Sequence, residues 1–193
     1  NALPQWTGWD GDPDLPARGA VQLEMTRESV CLAHEQTKAG IPPTRPMMSV
    51  NVPSSLDPNL APAGHHTISV YVYPAPAKPA TDNWDDHREA VAQGIIDQIT
   101  EYAPNFRNSV LHYELRTPLD LERKVGLTDG CIWHLQHDAD QLFAQRPLPE
   151  LSNYRTPVAG FYLGGSGQHP GGEVSGCPGH NSAHEILKDL RIS

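Results

Sequence analysis

The sequence is short of most features that would announce a partner. Apolar residues make up only 38% of its 193 positions. No apolar run approaches the ~18 residues that a membrane-spanning helix requires, and the N-terminus lacks the charged-then-apolar pattern of a secretory signal. Basic residues are outnumbered: 14 Lys and Arg stand against 23 Asp and Glu, a formal charge of −9. They form no cluster, and phosphate backbones are bound by clustered cations, so a nucleic-acid surface is excluded. Cysteine is scarce too. Cys31, Cys131 and Cys177 are odd in number, far apart and without a C-x-x-C, which indicates free thiols in a reducing, cytoplasmic setting rather than a disulfide framework. The first half has no G-x-G-x-x-G turn after a strand, the usual cradle of a dinucleotide pyrophosphate. No internal repeat is present.

Proline and glycine are abundant, at 19 and 16 residues, and predict a chain rich in loops. Its length suits one substantial core, or one domain with a piece of another. Residues 1–25 read as loop-rich. A helix opening at Thr26 or Glu28 runs to about Lys38, where Gly40 and Pro42 stop it. Met47–Val52 reads as a short strand. In His66–Tyr73 the residues Ile68, Val70 and Val72 alternate with polar or aromatic neighbours, the period of a half-buried strand. A long helix is expected over Asp86–Tyr102, with Asp86 and Glu89 as a capping pair and Val91, Ile95, Ile99 and Tyr102 along one face. Val110–Arg116 reads as another strand and Leu119–Val125 as a short helix. Strands and isolated helices without a βαβ rhythm predict an α+β fold with a mostly antiparallel sheet.

The stretch richest in information is Gly160–Asn181. Gly160–Leu163 reads as a short strand covered on both faces. A run of glycines follows, where backbone can approach a ligand with no Cβ in the way. Beyond Pro178, the residues Ala183, Ile186, Leu187 and Leu190 fall on one face of an amphipathic helix. The free N–H groups at that helix start favour negative charge. Together these read as a cofactor-binding turn, with an ordinary strand-to-helix connection as the alternative.

Other constellations are weaker. Cys177, His180 and His184 have spacings that could present ligands on one helical face, and His134 and His137 form a second pair. A structural zinc site needs four ligands, and His184-Glu185 lacks the second histidine of H-E-x-x-H, so no metal is assigned. Gly165-Ser166-Gly167 is not a nucleophile elbow, and no residue qualifies as a catalytic acid or base. Tyr71, Tyr73, Trp133 and Phe143 could line an apolar cavity or fill a core.

The glycine run resembles the C-terminal flavin-contacting motif of the phytoene-desaturase-like FAD oxidoreductases. It agrees with that motif at Gly160, Tyr162, Leu163, Gly165 to Gly167, His169 to Gly172, Val174, Gly176, Pro178, Gly179, Asn181 and Ala183. It departs at Gly164, Gln168, Glu173 and Cys177. Two upstream segments are also similar to the family in collinear order: one from Pro43-Thr44-Arg45-Pro46 to His66, the other from Thr117-Pro118-Leu119-Asp120 to Arg146-Pro147.

The resemblance implies FAD as cofactor, bound at Gly165, Ser166, Gly167, His169, Gly171, Gly172, Glu173, Val174 and Gly176. His169 would bond the flavin or position the loop, and the latter is preferred. The implied activity is hydride transfer from a lipophilic, unsaturated substrate, which is desaturated or isomerised. Peripheral membrane contact is compatible with such a substrate. The family's chains are two to three times as long, and its N-terminal glycine turn is missing here. This chain is therefore expected to be a C-terminal fragment, inactive alone, whose partner is the N-terminal FAD-binding part of the same polypeptide. Residues 1–157 would belong to the substrate domain, and 158–193 would supply the last strand and helix of a Rossmann-like FAD-binding domain. Glu173 is a carboxylate where the family has glycine. It favours the competing reading, a non-catalytic interaction module that kept the fold without flavin.

Overall fold

A computed structural model describes residues 2–12, 14–172 and 174–191. The chain divides into two compact units, Asn1–Gly130 and Cys131–Ser193.

The first unit is α+β. A short helix α1 (Leu15–Arg18) leads into β1 (Ala20–Leu23), followed by α2 (Arg27–Lys38), β2 (Met47–Asn51), β3 (Ser69–Tyr73), α3 (Trp84–Tyr102), α4 (Phe106–Ser109) and α5 (Pro118–Val125). The three strands form one antiparallel sheet in the order β1-β2-β3. The register stacks Val21, Val50 and Val70 in one row and Leu23, Met48 and Val72 in the next. Because strand side chains alternate between faces, both rows lie on the same side. Polar and aromatic residues take the other side, where the Gln22 amide donates to Ser49 Oγ at 3.0 Å.

Helix α3 covers the apolar rows. Ala92, Ile95, Ile96 and Ile99 recur at i, i+3, i+4 and i+7 and are buried, joining Leu23, Met48, Val50, Ala103 and Phe106 in a single core, with Ile68, Val70 and Val72 packed against it. The helix begins earlier than the sequence suggested. Asn83 is the N-cap, and its capping-box partner is Asp86 rather than Asp86 pairing with Glu89. Asn83 caps well because its side-chain carbonyl reaches the free N–H of Asp85 at 2.7 Å.

Residues 1–25 are loop-rich as expected, but they also hold α1 and β1, where Val21 and Leu23 alternate with Ala20 and Gln22 too briefly to stand out. Two further expectations need correction. Val110–Arg116 is not a strand: no chain pairs with it, and the Leu115 carbonyl is taken by the Arg88 guanidinium at 2.7 Å. Gly160–Leu163, in the second unit, keeps only an isolated bridge between Arg155 and Tyr162. Gly160 has φ +77°, and the Phe161 N–H turns back to the Val158 carbonyl at 3.0 Å, so the backbone cannot run straight there.

Helix α5 is held at its start by a second capping box, between Thr117 and Asp120, and ends at Gly126 in the left-handed conformation. Asp120 also receives a two-pronged bond from Arg88, at 2.7 and 3.0 Å. That guanidinium, helped by the Thr117 donors, holds the Asp120 carboxyl well below the usual carboxylate range. A depressed folded pKa contributes stability at neutral pH that is lost as pH falls from about 4 downward. Asp120→Asn should lower stability near pH 7 by on the order of 1–3 kcal/mol and should flatten the acid limb of a Tm-against-pH curve. An unchanged acid limb in the variant would assign the acid sensitivity to other carboxylates.

No described helix is long and apolar enough to cross a membrane.

Candidate functional site

The second unit is built around polar groups. Among its described residues Tyr154 is the only buried hydrophobic side chain, while Arg146, Gln168 and Ser182 are buried polar ones. Three single turns, Ala139–Gln141, Phe143–Gln145 and Pro149–Leu151, lead to the Arg155–Tyr162 bridge. The glycine loop then runs into α6 (Cys177–Asp189), which starts at Gly176 in the left-handed conformation, φ +69°.

An ion-pair cluster fastens α6. Arg155 donates to both oxygens of Asp189 at 2.8 Å and to Glu185 at 2.5 Å. The Arg155 guanidinium first, and then the Tyr162 hydroxyl, pull the Asp189 carboxyl down to about 2. The loop touches the helix at Gly164, where a Cβ would lie 3.3 Å from Ser182 Cβ. This departure from the family motif therefore has a packing reason, since a larger residue would have to push the helix away. The apolar stripe expected on this helix is not its packed face. Pro178 and Ser182 are buried, whereas Leu187 and Leu190 are 39% and 61% exposed.

The candidate residues divide into two groups. Gly165 and Gly167, with Gln168, line an open cavity of about 450 Å³ shared with His134, Leu135, Pro147 and Tyr162 to Gly164. A Cβ on Gly165 or Gly167 would meet nothing within 4 Å. Gly171 and Gly172 sit instead against the 133–137 segment. Gly171 has φ +108°, and a Cβ there would lie 3.1 Å from His137 Nε2; one on Gly172 would lie 3.3 Å from the Trp133 ring. Ser166 enters through its carbonyl, which accepts from Arg146 at 3.0 Å. Val174 is fully exposed, and Glu173 lies outside the described residues.

His169 is tied from two sides. Its ring centroid is 5.4 Å from that of Phe143, and its carbonyl accepts from the Tyr154 hydroxyl at 2.9 Å. That hydroxyl in turn accepts from the Asn181 amide of α6 at 2.8 Å, so Tyr154 links loop to helix. Tyr154→Phe removes both bonds and strands a buried carbonyl and amide. A loss of about 1–3 kcal/mol is expected, read as faster amide exchange at 168–172. Unaltered exchange would show that the loop keeps its course without this tie.

Three buried polar atoms in this unit have no partner among the described residues: Arg146 Nε, Gln168 Oε1 and His169 Nδ1. Burying such groups unpaired is costly, so their gathering along one loop marks it as a place where something else supplies partners. Reading the sequence missed the roles of Arg146 and Tyr154, and it gave His137 only as a metal candidate and Gln168 only as a departure from the motif. The Arg146-Pro147 pair was visible as part of the family resemblance, but nothing in its spacing showed that the arginine lies beneath the loop.

The metal constellations do not assemble. The rings of His180 and His184 stack edge-on with centroids 4.5 Å apart, and among the described residues no group of three His, Cys, Asp or Glu is placed to hold a metal ion. Cys31, Cys131 and Cys177 are free and exposed.

No family model matches the chain. The curated proteins it resembles are oxidoreductases and desaturases. It is 46% identical to the pyridine nucleotide-disulfide oxidoreductase domain-containing protein 2 of Rattus norvegicus over 174 residues, 88% of this chain and 30% of that protein. It is 27% identical to the phytoene desaturase of Fusarium fujikuroi over 207 residues, covering 94% of this chain and 35% of that protein. The carotenoid 3,4-desaturase of Haloarcula japonica is 26% identical over 151 residues, 77% of this chain and 29% of that protein. The chain is thus similar over most of its length to part of these oxidoreductases. It spans about 30% of the length of the curated relatives it matches.

Proposed function

We propose that this chain is the C-terminal part of an FAD-dependent oxidoreductase that desaturates or isomerises a lipophilic, unsaturated substrate. The observation that carries this reading is the glycine loop with its three unpartnered buried atoms, Arg146 Nε, Gln168 Oε1 and His169 Nδ1. The residues present suit a flavin. Gly165 and Gly167 leave backbone open to close approach, and Gln168 Oε1 and His169 Nδ1 carry hydrogen-bonding capacity for a polar ring edge.

When bound, FAD would supply the hydride-accepting chemistry. The chain's own part is to orient and to tune. Gly165, Ser166, Gly167, His169, Gly171, Gly172, Val174 and Gly176, with Glu173, form the contacting loop, and backbone N–H groups near Gly172 to Val174 would stabilise negative charge there. Residues 158–193 are assigned to a Rossmann-like FAD-binding domain completed by an N-terminal part of the same polypeptide, and residues 1–157 to the substrate side.

The first unit supports an apolar substrate. A cavity of about 350 Å³ lies between β3, α3 and the extended segment 109–115, lined by apolar residues that include Ile68, Val70 and Ile99 and also by His65, His112 and Glu114. Relatives named for phytoene and for carotenoids point to a hydrocarbon.

The test is the absorption spectrum of the purified full-length protein. One FAD per chain is expected, whereas this chain expressed alone should lose FAD on gel filtration, because the pyrophosphate contacts of the glycine turn are not in it. A colourless full-length protein that takes up no added FAD would establish the non-catalytic module instead.

A further inference from the structure

Arg146 is fully buried, 0% exposed. Its Nη1 donates to the carbonyls of Gln136 at 3.0 Å and Gln141 at 3.3 Å. Its Nη2 donates to the Ser166 carbonyl at 3.0 Å and to that of His134. Its Nε has no partner, and a Cβ on Gly171 would lie 3.6 Å from that atom. Among the described residues no carboxylate forms an ion pair with it.

A guanidinium stays ionised in any protein environment. Seating one among carbonyl dipoles satisfies its terminal N–H groups but leaves Nε unpaired and, among the described residues, the positive charge uncancelled, at a desolvation cost that an ordinary structural arginine offsets with a carboxylate. Four carbonyls, from the 134–136 segment, the turn at Gln141 and the glycine loop at Ser166, converge on it, so the site is built rather than incidental. In a poorly screened interior that charge acts across the loop lying over it. Gly165 to Gly171 form that loop, with the unpartnered Gln168 Oε1 and His169 Nδ1 beside it.

We propose that Arg146 is a positioning residue that fixes the loop through Ser166 and supplies the positive charge favouring reduced, anionic FAD over oxidised FAD. This rests on the flavin reading above. Bound FAD would supply the oxidising chemistry: a hydride from a substrate C–H bond would bring it two electrons and one proton, the substrate's second proton would pass to water as the new double bond forms, and the fixed cation beneath the loop would favour the added negative charge. The uncancelled charge of Arg146 is thereby matched only when the ring is reduced.

The test measures the midpoint potential of FAD bound to the full-length protein. In the wild type the bound cofactor should be reduced more easily than free FAD; a potential below that of free FAD overturns the proposal without any variant. Arg146→Lys keeps the charge and loses the fork, so its preference for reduced over oxidised FAD should stay within about threefold of the wild type. Arg146→Gln loses the charge, and its preference should fall at least tenfold, about 30 mV for a two-electron couple. Equal potentials in Arg146→Gln and wild type would leave Arg146 a purely structural clamp and overturn the proposal. If Arg146→Gln does not fold, the wild-type potential decides alone. A wild-type protein that takes up no FAD overturns the flavin reading itself, a distinct outcome from bound FAD of unshifted potential.

Discussion

Gly171→Val in the full-length protein should lose FAD binding by roughly a hundredfold or more, the largest functional effect expected of a single change. The backbone at Gly171 has φ +108°, and a Cβ there would lie 3.1 Å from His137 Nε2 and 3.6 Å from Arg146 Nε. A β-branched residue adopts that conformation only under strain of about 1–3 kcal/mol. The added bulk displaces the loop from the arginine that holds it. Gly167→Ala is the control. Its Cβ meets nothing within 4 Å, so the fold should keep its Tm, while affinity falls if backbone approaches the flavin there. Full FAD occupancy in Gly171→Val, measured by absorbance after gel filtration, would remove this loop from the cofactor site.

Val50→Asp should unfold the first unit. Val50 is 1% exposed, pairs with Val21 and Val70 across the central strand, and belongs to the core that α3 covers. No described cation stands ready to pair with a carboxylate in that core, so the substitution buries an unpartnered charge at a cost on the order of 4 kcal/mol or more. Tyr71→Asp, on the same sheet but on its other face, should cost much less, because Tyr71 is 44% exposed. Thermal unfolding of the two variants checks the pleat directly. Equal losses would mean that the sheet buries both faces.

The three strands differ in how well they could be read. In β3, alternation of Val70 and Val72 with Ser69, Tyr71 and Tyr73 gave both the strand and its inward face, and α3 confirmed the partner. For β2, Met47–Asn51, a short apolar run between loops was enough. The four-residue β1 could not be read, because Ala20 to Leu23 carry too little alternation to outweigh a proline-rich context. Val110–Arg116 failed in the opposite sense. Its composition suits a strand, but strand formation needs a neighbour, and Arg88 takes the Leu115 carbonyl instead.

At the site, the sequence by itself determined the glycine loop, the helix that follows it and the family motif that both resemble. These are local properties: glycines in series, a proline in the first turn, and residue types at fixed offsets. The tertiary structure decided which of those residues share a surface. Gly165 and Gly167 border the open cavity, whereas Gly171 and Gly172 are pressed onto His137 and Trp133. It also decided that Arg146 lies beneath the loop, bound to carbonyls from His134, Gln136, Gln141 and Ser166. Such a convergence is set by long-range packing and by the need to satisfy every buried N–H, and no spacing along the chain encodes it.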